Sequence, residues 1–291
     1  MLTWPLVLSA LLLGLVQGLT EFIPVSSSGH LILAGGMVDF EESIGGPNRL
    51  IVFEVVIQLG SVLAILVEYG RDLLRTARSI LHGHSGPVVE GTIKTPQSGL
   101  RGILFRSRLG VALIVGTVPV LAVGVLFGGY IQDNLFSPTV VAWSFIVGGV
   151  IMWIIESLPL RPTCATIDTI SFRQALWVGL AQVLALIPGT SRSGATIMGA
   201  LGAGLDRKTA TEFSFLLALP VLLAASAYTV VRNVEAIDVS FLPPLALGFL
   251  VSFLSSWLVI RWLLRFVRSH TFKSFALYRI AFGIVLLFTL A

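Results

Sequence analysis

Two short polar stretches in an otherwise apolar chain carry most of the residue types that could do chemistry. The first reads Gln17-Gly-Leu-Thr-Glu21-Phe-Ile-Pro24-Val-Ser26-Ser27-Ser28-Gly-His30, and the second reads Pro188-Gly189-Thr-Ser191-Arg192-Ser193-Gly-Ala-Thr196. In the first, a carboxylate, three hydroxyls and an imidazole fall within ten residues, from 21 to 30. Ionisable groups at hydrocarbon depth cost several kcal/mol unless they are paired or hydrated, so such a cluster is read first as a functional site. Gln17 and Glu21 are four apart and share a helix face, and Ser27 and His30 are three apart and meet if a helix starts near Ser26. Ser26, Ser27 and Ser28 are also good helix N-caps, which accounts for one or two hydroxyls but not for Glu21 or His30.

In the second stretch, Gly189 and Gly194 let backbone come close to a ligand, and the amides at a new helix start form an anion site. Arg192 is the strongest single clue. Its planar donor fork suits phosphate or carboxylate oxygens, and its alternatives are internal pairs with Glu21, Glu54 or Glu212. Glu54 and Glu212 each sit just inside an apolar span that follows a polar break, where they are expected to orient the breaks. Together the two stretches suit phosphoryl transfer on a lipid diphosphate. Arg192 and backbone amides would neutralise phosphate oxygens, Ser27 would attack or position water, and His30 would carry the proton.

The elements that must hold these groups are membrane helices. The 291 residues are 55% hydrophobic and only 12% charged, against about 25% charged in ordinary globular chains, which excludes a soluble fold. The apolar runs are continuous, which also excludes the alternating pattern of barrel strands. Six spans are predicted at 50–69, 109–131, 139–158, 212–231, 241–262 and 275–290. Residues 5–38 and 174–205 are too long for one crossing and are broken by the polar stretches, so each is expected to form a re-entrant helix pair. The run after Met1 lacks a basic flank and is expected to belong to the mature fold. A single cysteine, Cys164, leaves no internal disulfide. The net charge of +4 comes from loops flanking the spans and indicates topology, with no nucleic-acid partner. Basic segments at 70–108 and 261–274 are expected on the cytoplasmic side, and the acidic loop with Asp39, Glu41 and Glu42 outside. His82 and His84, in the first of these segments, read as solvated rather than metal-binding.

A shift of 179 − 14 = 165 residues pairs Gly14, Leu15, Gln17, Leu19, Ser26, Ser28 and Gly29 with identical residues in the second half, seven matches in sixteen positions. Each half then holds one re-entrant pair and three spans. An odd number of crossings inverts the second half relative to the first. The expected fold is an all-α polytopic membrane protein, a single membrane domain over 1–291. Its inverted-topology repeats, 5–158 and 174–290, are joined by a short cytoplasmic linker, with about six transmembrane helices plus two re-entrant pairs.

The two polar stretches, with Phe53-Glu54-Val-Val-Ile-Gln-Leu-Gly-Ser61 and Glu212-Phe-Ser-Phe-Leu-Leu-Ala218, resemble the undecaprenyl pyrophosphate phosphatases of bacteria, also called bacitracin-resistance proteins, over nearly the full length. The resemblance implies an enzyme of the cytoplasmic membrane, its site open to the periplasmic side, that removes one phosphate from the C55 isoprenoid diphosphate. That reaction recycles the carrier lipid for peptidoglycan synthesis. By the same resemblance, Glu21 is the essential acid, Ser27 the nucleophile and His30 its acid/base partner. Gln17, Ser26, Ser28, Gly189, Ser191, Arg192, Ser193 and Thr196 would surround the diphosphate. The implied cofactor is a divalent cation, Mg²⁺ or Ca²⁺, on Glu21, although Gln17 replaces a second glutamate found in other members. Membrane lipids are the expected surroundings, and a second copy, as a homodimer, is a candidate partner. The rival reading is a lipid-phosphate flippase or secondary transporter, because broken helices in inverted repeats also build carriers.

Overall fold

A computed structural model describes residues 4–82 and 108–289. The first polar stretch joins α1 (Trp4–Thr20) to α2 (Ser27–Met37), followed by a short α3 (Phe40–Ile44) and three long helices, α4 (Pro47–His82), α5 (Arg108–Leu135) and α6 (Pro138–Ser157). The second stretch joins α7 (Phe172–Val183) to α8 (Arg192–Gly202). Three more helices follow, α9 (Arg207–Arg232), α10 (Leu242–Phe266) and α11 (Lys273–Thr289). The fold is all-α: among the described residues the only strand-like pairing is an isolated bridge between Cys164 and Leu205. His84 lies outside the described residues, as does the His82 side chain.

Each predicted span forms a helix. Five of them (α4 over Pro47–Arg71, α5, α6, α9 and α10) are long and apolar enough to cross a membrane, and α11 has 17 residues. By contrast α2, α7 and α8 have 11, 12 and 11 residues. Those lengths correspond to about 16–18 Å, well short of a hydrocarbon core of about 30 Å. Local sequence sets the helix starts. Ser137 Oγ accepts from Val140 N with Pro138 just inside α6, Ser171 and Gln174 form a reciprocal capping box on α7, and Asp206 accepts from Thr209 N at 2.7 Å at the start of α9.

The helices of the two halves interleave: α1 packs on α10, and α7 packs on α5. Both contacts depend on glycine at the same place in the repeat. A Cβ on Gly14 would lie 2.5 Å from Gly248 O, and one on Gly179 would lie 2.6 Å from Gly116 O. Small residues let helix backbones approach where lipid offers no hydrophobic drive for association. A serine cluster supplies polar contacts in the same layer. Ser256 Oγ donates to Ser61 Oγ at 2.8 Å and to Gly18 O at 3.3 Å, and Ser252 Oγ donates to Ile57 O at 2.6 Å. The last turn of α1, which carries Gln17 and leads to Glu21, is thereby pinned to α4 and α10. Apolar side chains face outward instead, with Val125 84% and Leu126 75% exposed on α5, as a lipid-facing surface requires.

At the predicted cytoplasmic end, Glu156 at the end of α6 clasps the start of α9. Arg207 donates to its carboxylate from Nε at 3.0 Å and from a terminal nitrogen at 2.6 Å, and Phe272 N donates at 3.2 Å. The hydrogen bond to Glu156 holds the Arg207 guanidinium above its ordinary range. Glu156→Gln is expected to destabilise the protein by about 2 kcal/mol, the scale of hydrogen bonds to a charged group. Thermal unfolding in detergent measures this, with turnover of the folded fraction unchanged because the clasp lies away from the polar turns.

Candidate functional site

The chain leaves α1 at Thr20, and Glu21 N still donates to Gln17 O at 2.9 Å, so Glu21 projects from the last helical turn. Phe22 to Val25 make the reversal, and Ser26 starts α2 with φ 72° and ψ 99°. Ser191, its counterpart under the 165-residue shift, starts α8 with φ 74° and ψ 115°. A positive φ at a non-glycine residue costs about 1–3 kcal/mol and persists only where surroundings impose it. The two turns match further: Ser26 and Ser28 hydroxyls lie 3.2 Å apart, as do those of Ser191 and Ser193. They differ at the caps. Ser191 Oγ accepts from Gly194 N at 3.0 Å, whereas Ser26 makes no side-chain cap, so the first amides of α2 keep their capacity for an anion.

The turns meet at Glu21. Arg192 donates to Glu21 Oε1 at 2.9 Å, while Ser27 Oγ donates to Oε2 at 2.7 Å and Gln17 Nε2 to the same oxygen at 3.0 Å. The Arg192 and Glu21 side chains are only 11% and 4% exposed, so this is a buried ion pair. A second Arg192 nitrogen donates to Ser214 O at 3.0 Å, and Nε is buried without an acceptor. The guanidinium therefore keeps a donor for a further oxygen. Beside the pair lies a cavity of about 270 Å³, lined by Glu21, Ser26, Ser27, Ser28, Gly189, Ser191 and Arg192, with apolar walls from Val120, Phe136, Leu186, Val221 and Leu222. Polar groups at one end and hydrocarbon at the other suit an amphipathic anion.

Several expected contacts are absent and are replaced by others. Ser27 and His30 do not pair. The His30 ring instead stacks on Phe282 with centroids 4.5 Å apart. Its Nδ1 donates to Ser26 O at 2.7 Å, and Nε2 of the neutral ring accepts from the Tyr278 hydroxyl at 2.6 Å. A histidine one helical turn past Ser26 returns naturally to the first carbonyl of its own helix, which removes it from the Ser27 hydroxyl. Ser193 and Thr196, expected around the diphosphate, are buried and face protein. Ser193 Oγ donates to Ile23 O at 3.1 Å, tying the second turn to the first, and Thr196 Oγ1 bonds to Arg192 O at 2.8 Å and to the Ser214 hydroxyl at 2.6 Å. Glu212 pairs with Lys208 at 3.7 Å, its helical neighbour, rather than with either turn. Glu54 lines a separate cavity with Asp39, Glu41 and Glu42. Neither glutamate orients the breaks.

Arg279 and Tyr278, on α11, went unremarked in the sequence. Arg279 is fully buried and donates to Pro24 O at 3.2 Å and to Gly189 O at 3.0 Å, one carbonyl in each turn. The available signal was a lone arginine in the middle of a predicted span. For a cation, Glu21 is the one carboxylate at the cavity, and among the described residues no group of three or more His, Cys, Asp or Glu side chains is placed to hold a metal. The donor set fits a cation shared with phosphate oxygens, in the manner usual for Mg²⁺, and not one caged by protein.

Comparison with known proteins agrees with this geometry. The model of the family described as bacitracin resistance protein BacA matches residues 10–285. A protein named undecaprenyl-diphosphatase from Dechloromonas aromatica is 44% identical, covering 98% of this chain and 94% of its own length. Proteins of the same name from Laribacter hongkongensis and Cupriavidus metallidurans are 43% and 41% identical, each covering 98% of this chain and 95% of its own length. Because the match runs through both polar turns and the helices packed between them, the chain belongs to the bacitracin resistance protein BacA family.

Proposed function

We propose that this chain is an undecaprenyl-diphosphatase. It hydrolyses undecaprenyl diphosphate to undecaprenyl phosphate and inorganic phosphate, recycling the lipid carrier of cell-wall synthesis and giving bacitracin resistance. The observation that carries the mechanism is the Ser27 hydroxyl donating to Glu21 Oε2 at 2.7 Å while Arg192 neutralises Oε1 at 2.9 Å. Glu21, not His30, is the group placed to take the Ser27 proton.

Ser27 Oγ attacks the terminal phosphorus as its proton passes to Glu21, and the bond from that phosphorus to the bridging oxygen breaks, leaving the lipid monophosphate. Water then attacks the phosphoserine and leaves with the phosphate, and Glu21 returns its proton to Ser27. Arg192 and the uncapped amides at the start of α2 face the charge that develops on the phosphoryl oxygens, the kind of fixed electrostatics that supplies most of such a barrier reduction. Mg²⁺ or Ca²⁺, held by Glu21 with the Gln17 amide oxygen and phosphate oxygens, would supply further neutralisation of the diphosphate. A flippase would need the anion site but has no use for a hydroxyl held on a carboxylate.

The setting we infer is the bacterial cytoplasmic membrane, with each helix–turn–helix unit re-entrant, the two halves inverted, and the site open to the periplasmic side. Phe136, in the loop joining α5 to α6 on the predicted outer side, lines the cavity and supports that opening. The test is release of inorganic phosphate from C55 isoprenoid diphosphate by the purified protein. Release that persists in Ser27→Ala at the wild-type rate would sink the mechanism.

A further inference from the structure

Two adjacent residues of α11 hold the site without touching its cavity. Arg279 is fully buried and has no carboxylate within ion-pair distance among the described residues. Its guanidinium binds four carbonyls: Pro24 O at 3.2 Å, Gly189 O at 3.0 Å, Ser144 O at 3.0 Å and Phe145 O at 3.4 Å. A buried charge satisfied only by backbone dipoles is costly compared with an apolar side chain, so it is poorly explained as a source of stability. Its geometry explains it better. A planar fork of donors can bridge three chain segments at fixed distances, which a lysine ammonium cannot do. Space is kept for it as well, since a Cβ on Gly148 would lie 2.3 Å from one guanidinium nitrogen.

Tyr278 acts on the first turn by another route. Its hydroxyl, 2.6 Å from His30 Nε2, fixes the tautomer that leaves Nδ1–H to donate to Ser26 O at 2.7 Å. Ser26 is the positive-φ residue directly before Ser27. We propose that Tyr278 and Arg279 are positioning residues: Arg279 sets the separation of the two turns through Pro24 and Gly189, and Tyr278, through His30, fixes the Ser26 peptide that aims Ser27 at Glu21. This rests on the hydrolase reading and adds a latch to it. Both residues come from the last helix, so the catalytic turns of the two halves are assembled only once α11 has docked on α6.

The test measures kcat and KM for C55 isoprenoid diphosphate, with thermal unfolding in detergent, on Tyr278→Phe, Arg279→Lys, Gly148→Ala, His30→Gln and the Tyr278→Phe/His30→Gln double variant. Tyr278→Phe keeps the ring and removes one hydroxyl. It is expected to lower kcat about tenfold with KM and the unfolding midpoint nearly unchanged, and to add nothing in the His30→Gln background, the non-additivity of residues acting in series. Arg279→Lys, or Gly148→Ala, which displaces the guanidinium without deleting it, is expected to lower kcat by about 10²-fold in the folded fraction, the cost of misplacing reacting groups by about 1 Å. The latch is overturned if Tyr278→Phe costs as much with His30→Gln as without it, or if both Arg279-directed variants keep kcat within twofold. Wild-type protein that releases no phosphate counts against the hydrolase reading itself. Active wild type with unaffected variants counts against the latch alone.

Discussion

Replacing Ser27 by Ala is expected to lower kcat for phosphate release by about 10³-fold or more, the scale seen when a nucleophile that works with a paired base is removed. The structure makes this a clean substitution. Ser27 donates one bond, to Glu21 Oε2, and that oxygen keeps its bond from Gln17 while Oε1 keeps Arg192. Folding stability should therefore change by less than about 1 kcal/mol, the net worth of an ordinary hydrogen bond. His30→Gln provides the contrast. If His30 were the proton acceptor, its loss would match that of Ser27→Ala. Because it instead holds the Ser26 carbonyl, the expected loss is nearer tenfold. Initial rates of phosphate release with folded protein, checked by thermal unfolding, separate the two.

Arg192→Gln has the second large effect, and it appears in stability and activity together. The guanidinium lies 2.9 Å from a carboxylate that is itself almost fully buried, so its loss strands a buried charge. Breaking such a pair from one side costs about 3–5 kcal/mol, whereas removing both partners is often close to neutral. Glu21→Gln alone should likewise destabilise, by stranding Arg192. The double variant Glu21→Gln/Arg192→Gln should recover most of the unfolding midpoint. Activity should not recover. Arg192 supplies charge stabilisation worth about 10²–10³-fold in kcat, and Glu21 is the base for Ser27. A midpoint restored with turnover still absent is the signature of a pair that is both an internal ion pair and the catalytic centre. A double variant as unstable as either single variant would show that the two residues do not interact as drawn.

The polar breaks, the helices around them and the pairing of Ser26 with Ser191 were legible in the sequence because each leaves a local trace. Glycine, proline and hydroxyls interrupt an apolar run, and a fixed shift aligns them. Arg192 with Glu21 was legible only as one of three possible pairs, since the partner lies 171 residues away and sequence carries no distance. The role of Ser27 hinged on where α2 begins. A start one residue earlier or later would rotate each serine by about 100°, and only the positive φ at Ser26 settles which hydroxyl reaches Glu21. His30 illustrates the opposite risk. The three-residue spacing from Ser27 suggested a pair, but Tyr278, 248 residues away, holds the imidazole on another side. Ser193, Thr196, Glu54 and Glu212 sat in the right segments, yet their side chains turn to other protein groups or to another cavity. Arg279 was legible by physics and overlooked by pattern, because one charge does not break an otherwise apolar span.

The account also changes how the two turns divide the work. The first carries the reacting hydroxyl, its carboxylate partner and a helix start whose amides no side chain occupies. The second contributes Arg192 and, through Gly189 and Ser193, the contacts that hold the first in place. Two related turns have thus taken different tasks, one chemical and one supporting.

The central claim is that Ser27 attacks phosphorus with Glu21 taking its proton. Its most direct test is a single-turnover experiment with C55 diphosphate radiolabelled in the terminal phosphate, quenched in acid and digested for mass spectrometry. Label on Ser27, absent in Ser27→Ala and at least tenfold weaker in Glu21→Gln, is the predicted result. Label on His30, or full phosphate release with no label on the protein at any time, would contradict it.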